Sequence, residues 1–264
     1  MSNPRLPAEL LDDVVDHLHD TEYALRNCCV VSRSWIPRAR KHLFAHINLS
    51  TAKSLRSWKE MFPDPSTSPA HYARTLVVLC FHPATPAGAE LDGWIREFSR
   101  VVHLKVVGRI NSLFPFHGLS PAIKSLRVTS ITLPSSHVFD VILSFPLLED
   151  LAVIIPDTSI DDGDGSNGLS TAVLSPSSPS FAGSLELSVE GGMRPIACRL
   201  LSLPGGIHFR ELILAWHRKE DLVLTMALVE ECSHTLESLD IACNLPCRSI
   251  QHPCPHRQLT CFCS

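Results

Sequence analysis

Hydrophobic positions along this chain recur in a short motif, apolar-x-x-Leu-x-apolar. It occurs as Ala73/Leu76/Val78, Val101/Leu104/Val106, Ile123/Leu126/Val128 and Leu148/Leu151/Val153. It returns as Ala182/Leu185/Leu187, Phe209/Leu212/Leu214 and Leu236/Leu239/Ile241. The central leucines are separated by 28, 22, 25, 34, 27 and 27 residues, and all but the 34 lie in or near the period of leucine-rich repeats. Alternation over three positions is what a strand with one buried face requires. Helical stripes fall between several of these strands: Leu91/Trp94/Ile95/Phe98, Val138/Val141/Ile142/Phe145, Ile196/Leu200/Leu203 and Leu222/Met226/Val229/Cys232. The fold class expected is therefore α/β. Residues 73–243 form a short leucine-rich-repeat solenoid, with parallel strands on a concave face and helices outside.

The N-terminal 46 residues follow a different period. Leu10, Leu11, Val14, Val15 and Leu18 mark one face of a helix. Leu25, Cys28 and Cys29 mark a second. Ile36, Ala39 and Leu43 mark a third, with Ser34 as the expected cap and Pro37 in the first turn. Three short helices bury too little surface to be stable alone, so this module should dock on something. Residues 47–72 read as a linker with a short helix. The Asp-, Gly-, Ser- and Pro-rich stretch 157–179 accounts for the long interval and reads as a mobile surface loop. Residues 244–264 carry no strand or helix period, and nothing after Ile241 supplies the polar cap that a solenoid end needs.

Composition narrows the function classes. With 264 residues, 45% apolar and 19% charged, the whole chain cannot be disordered. A net charge of −4 argues against a general nucleic-acid binder. No apolar run approaches the roughly 18–20 residues of a membrane span, and MSNPRLPAELLDD is not a secretory leader. A cytoplasmic or nuclear location is expected, with the ten cysteines reduced.

Three stretches bear on specific chemistry. A calcium loop starting at Asp162 would need Gly and Glu where Asn167 and Val173 stand. Among the tail residues Cys243, Cys247, Cys254, Cys261 and Cys263, with His252 and His256, the Cys243-x3-Cys247 pair has zinc spacing only loosely and His252 or Cys254 with His256 could complete a set. Pro246, Pro253 and Pro255 show no finger-like framework, so neither metal nor cofactor is expected. The run Arg38, Arg40, Lys41 and His42 reads as a solvated helix face. No H-E-x-x-H, G-x-S-x-G or P-loop pattern is present, and the chain is not expected to be an enzyme.

Residues 6–44, LPAELLDDVVDHLHDTEYALRNCCVVSRSWIPRARKHLF, resemble an F-box. The likeness lies in the Leu-Pro start, the helical leucines, the Val-Ser-x-x-Trp step and the closing Leu-Phe. The region after it, with phrases such as DPSTSPAHYARTL and LVEECSHTLESLDI, resembles the degenerate leucine-rich region of F-box proteins of mushroom-forming fungi. The resemblance implies a target-recognition subunit of an SCF (Skp–cullin–F-box) ubiquitin ligase. It would bind a Skp-type adaptor, and through it a cullin, by Leu6, Pro7, Leu10, Val14, Leu18, Leu25, Cys28, Val31 and Trp35. Each of these helical residues could equally be internal packing, whereas Leu6 and Pro7 precede the helix and lack an obvious internal partner. The target protein would meet the strand positions between the buried ones: Lys105, Arg127, Ala152, Glu186, Ile213 and Asp240. In sequence order that set mixes charges and names no target class. The alternatives are a repeat scaffold that recruits no ligase and a zinc-dependent protein using the tail.

Overall fold

A computed structural model describes residues 7–80, 94–108, 119–129, 139, 141–155, 179, 181–190, 193–216, 218–243 and 259–261. Leu6, Leu91, Val138, nearly all of the loop 157–179 and most of the tail lie outside them. Three helices open the chain: α1 (Ala8–His17), α2 (Glu22–Val31) and α3 (Ile36–Leu43). Strand β1 (His46–Leu49), helix α4 (Ala52–Met61) and two 3-10 turns follow. Then come β2 (Thr75–Cys80), β3 (His103–Gly108), β4 (Ser125–Thr129), β5 (Asp150–Ile155) and β6 (Ser184–Val189). Helix α5 (Arg194–Leu201), β7 (Glu211–Trp216), α6 (Asp221–Cys232), β8 (Ser238–Cys243) and β9 (Leu259–Cys261) complete the described elements.

The nine strands lie side by side in chain order, β1 to β8 parallel and β9 antiparallel to β8. The central leucines of the motif stack in register, Leu76 beside Leu104, then Leu126, Leu151, Leu185, Leu212 and Leu239. A single buried face explains this: a slip of one residue would turn each strand's whole apolar set to solvent. Every parallel junction except the entry to β6 repeats one backbone device, in which a single carbonyl accepts two successive N–H groups of the next strand's start. Ala45 serves Arg74 and Thr75, Arg74 serves Val102 and His103, and Lys124 serves Glu149 and Asp150.

Several expectations need correction. The sheet begins inside the expected linker, because Phe44, Ile47 and Leu49 repeat the motif with Ile at its centre. Ile47 pairs with Leu76, and Ile47 and Leu49 are buried. At β6 the leading apolar position is Phe181, which is buried, and Ala182 is exposed. The chain enters β6 from the 34-residue interval with Phe181 at φ 40°, which shifts the entry by one residue. On α6 the buried face is Asp221, Thr225, Leu228 and Cys232, while Leu222, Val223 and Met226 face out. Asp221 causes this rotation: its carboxylate accepts the Met193 N–H (3.1 Å) at the start of α5. An anion there also suits the partial positive charge of a helix N-terminus. Thr225 is satisfied inside by bonding back to the Asp221 carbonyl (3.0 Å).

The β6 entry also breaks the carbonyl device. Gly183 N–H takes the Glu149 carbonyl, and the Asp150 carboxylate accepts from the Ser184 N–H (2.8 Å) and hydroxyl (3.2 Å) instead. A Cβ on Gly183 would lie 2.1 Å from Asp150 Oδ1 and 3.1 Å from the Glu149 carbonyl oxygen. Gly183→Ala must expel that carboxylate and is expected to cost ~1–3 kcal/mol in urea unfolding. An unchanged midpoint would contradict this role for the glycine.

At the far edge, β9 pairs with β8. That addition revises the expectation that the tail from 244 has no regular structure. The main core runs beneath the sheet from Ile47 to Cys232. The three N-terminal helices have their own small core of Val15, Leu25, Cys28 and Ala39. Phe44, which directly follows α3, packs on the main core, meeting Trp58 and Phe62 edge-on with centroids 6.2 and 6.0 Å away.

Candidate functional site

The helical module leaves much of its apolar surface uncovered. α1 turns Val15 inward and leaves Leu10 and Val14, one turn apart, 49% and 51% exposed. α2 buries Leu25 and Cys28 and presents Tyr23, Val30 and Val31 outward; the two valines are 87% and 70% exposed. Five of the ten exposed large apolar side chains among the described residues stand on these two short helices, and three more, Leu222, Val223 and Met226, stand on α6.

Of the nine residues expected to meet an adaptor, Pro7, Leu10, Val14 and Val31 are exposed. Leu18 and Trp35 are half-buried against the small core. Leu25 and Cys28 belong to that core, a correction: each helix has one inward face, and these two residues occupy it on α2. Leu6 lies outside the described residues. Tyr23 and Val30 are surface apolar residues that the sequence reading passed over; their spacing from Val31 on α2 is the signal that could have found them.

The module is held by polar contacts as well as its core. Asp16 on α1 accepts from the Arg38 guanidinium on α3 through both carboxylate oxygens, and from His42 Nε2 at 2.7 Å. Half of the basic run expected to be solvated is thus engaged in tying α1 to α3. The Arg38 hydrogen bond foremost, and then that of His42, hold the Asp16 carboxyl well below the usual carboxylate range, against a smaller opposing effect of burial. A carboxyl depressed by folding stabilises fully above its unfolded pKa, about 3.9, and loses that contribution as pH falls below it. The group is a third exposed, so Asp16→Asn is expected to cost only about 1 kcal/mol at pH 7. That difference from the unmodified protein should shrink between pH 4 and pH 2 in thermal melts; an equal difference at both ends would contradict it.

The second candidate surface is the open face of the sheet. Lys105, Arg127, Ala152, Glu186, Ile213 and Asp240 occupy one continuous row from β3 to β8. Arg127 reaches across β5 to Glu186 at 3.1 Å, and the strand between them contributes only the small Ala152 to that row. Burial pushes the Cys29 and Cys232 thiols up, which suits packing rather than nucleophilic roles. Cys247, Cys254, His252 and His256 lie outside the described residues. Among the described residues, no helix is long and apolar enough to cross a membrane.

Comparison of the chain with protein-family models, curated proteins and solved structures gives no match.

Proposed function

We propose that this chain is the target-recruiting subunit of an SCF-type ubiquitin ligase, in the cytoplasm or nucleus. The N-terminal module is read as an F-box that binds a Skp-type adaptor and, through it, a cullin. The following sheet and helices are read as a leucine-rich-repeat solenoid that holds a target protein. The observation that carries this reading is the exposure of Leu10, Val14 and Val31 on a helical unit whose own core is only a few residues. These are positions that the F-box resemblance assigns to the adaptor, and a partner would bury them. The in-register leucine ladder supports the solenoid reading. The subunit itself makes and breaks no bond. It contributes proximity, holding a target lysine near a loaded ubiquitin carrier.

Affinity purification of the full chain from cells tests the reading. Adaptor and cullin should be recovered with it. Recovery of other proteins without either would reject ligase recruitment and leave the repeat-scaffold alternative.

A further inference from the structure

Strand register sorts the charges on the open face. On β1 to β4 the titratable residues at outward positions are His46, His103, Lys105 and Arg127, all basic. On β5 to β8 they are Asp150, Glu186, Glu211 and Asp240, all acidic. Arg127 and Glu186 neutralise each other at the boundary, and Asp150 is occupied by Ser184. Lys105 at one end, and Glu211 and Asp240 at the other, make no ion pair among the described residues. Between the poles, around the Arg127–Glu186 pair, the face carries Ala152 and Ile154, and Ile213 and Ala215 stand beside Glu211 on β7.

From these observations we infer that the open face binds an extended segment of another protein whose charges are segregated in the opposite sense. Its acidic end lies over β3 and its basic end over β7 and β8. Lys105 and Asp240 are five strand spacings apart, about 24 Å. An extended chain covers that distance in about seven residues, so the partner carries an acidic and a basic cluster with a spacer of about that length, small or apolar in character. Like-charged segments are repelled at one pole, and this gives the surface its selectivity. That the segment belongs to a ligase target rests on the function proposed above; its binding to the sheet does not.

The test uses the full chain and a fluorescent synthetic peptide with three glutamates, a spacer of about seven Ala, Val and Ser residues, and three lysines. A peptide of identical composition with alternating charges is the control. Fluorescence anisotropy at low salt should show the segregated peptide binding roughly tenfold tighter, with the preference fading as salt is raised. Lys105→Glu and Asp240→Lys should each weaken it roughly fivefold with unchanged thermal melts. Equal binding of the two peptides, no binding of either, or indifference to both substitutions would overturn the inference. So would sedimentation showing a dimer that Lys105→Glu dissociates, because a second copy would then fill the face. The assay contains no adaptor, so its outcome is separate from that of the adaptor titration.

Discussion

Leu212→Ala lowers the unfolding free energy by ~2–5 kcal/mol, the cost of removing a fully buried leucine and leaving a cavity. Leu212 stands between Leu185 and Leu239 in the ladder and is completely enclosed. Neighbouring strands on both sides, with α6 packed against β7, prevent the site from collapsing. Leu239 carries the same role one strand later but is only partly buried. Leu239→Ala should therefore cost about half as much, since less surface returns to water. Urea unfolding of both variants checks the pair. Equal losses would mean that burial does not grade along the sheet as the structure has it.

The second large effect concerns binding. Val14→Asp combined with Val31→Asp should weaken adaptor binding by about 100-fold or more, because central interface anchors contribute ~2 kcal/mol or more each and the new carboxylates would need desolvation on docking. Both side chains are exposed in the free protein, so stability should stay within about 0.5 kcal/mol of the unmodified chain. Leu25→Asp is not an equivalent probe. Leu25 is core, and a charge there would unfold the module whatever it binds. Calorimetric titration with purified adaptor, alongside thermal melts, separates the cases. Undiminished binding by the double variant would remove these valines from the interface.

Much of this fold was legible in the residues because a strand with one buried face has little freedom. The leucines from Leu76 to Leu239 fixed both the strands and their register. The failures share a cause: local spacing does not see tertiary choices. β1 escapes the pattern because its copy of the motif has Ile47 where the others have leucine. Spacing alone selects Ala182 over Phe181, since it cannot see a backbone turn at φ 40°. Hydrophobicity places the α6 stripe on Leu222 and Met226 and outranks Asp221, whose burial depends on a hydrogen bond to Met193 at the start of α5, and Thr225, which bonds back to the Asp221 carbonyl within α6. On α2, Leu25 and Cys28 were legible as one apolar face, but a helix with two apolar faces does not say which one is inward. The charge segregation on the sheet was hidden in sequence order and emerges only when register lines the strands up.

Binding of a purified Skp-type adaptor to the full, unmodified chain tests the central claim most directly. Isothermal titration should give a 1:1 complex with a negative heat-capacity change, the mark of apolar surface leaving water. Absence of a complex at micromolar concentrations of both proteins, with the helical module folded, would contradict it.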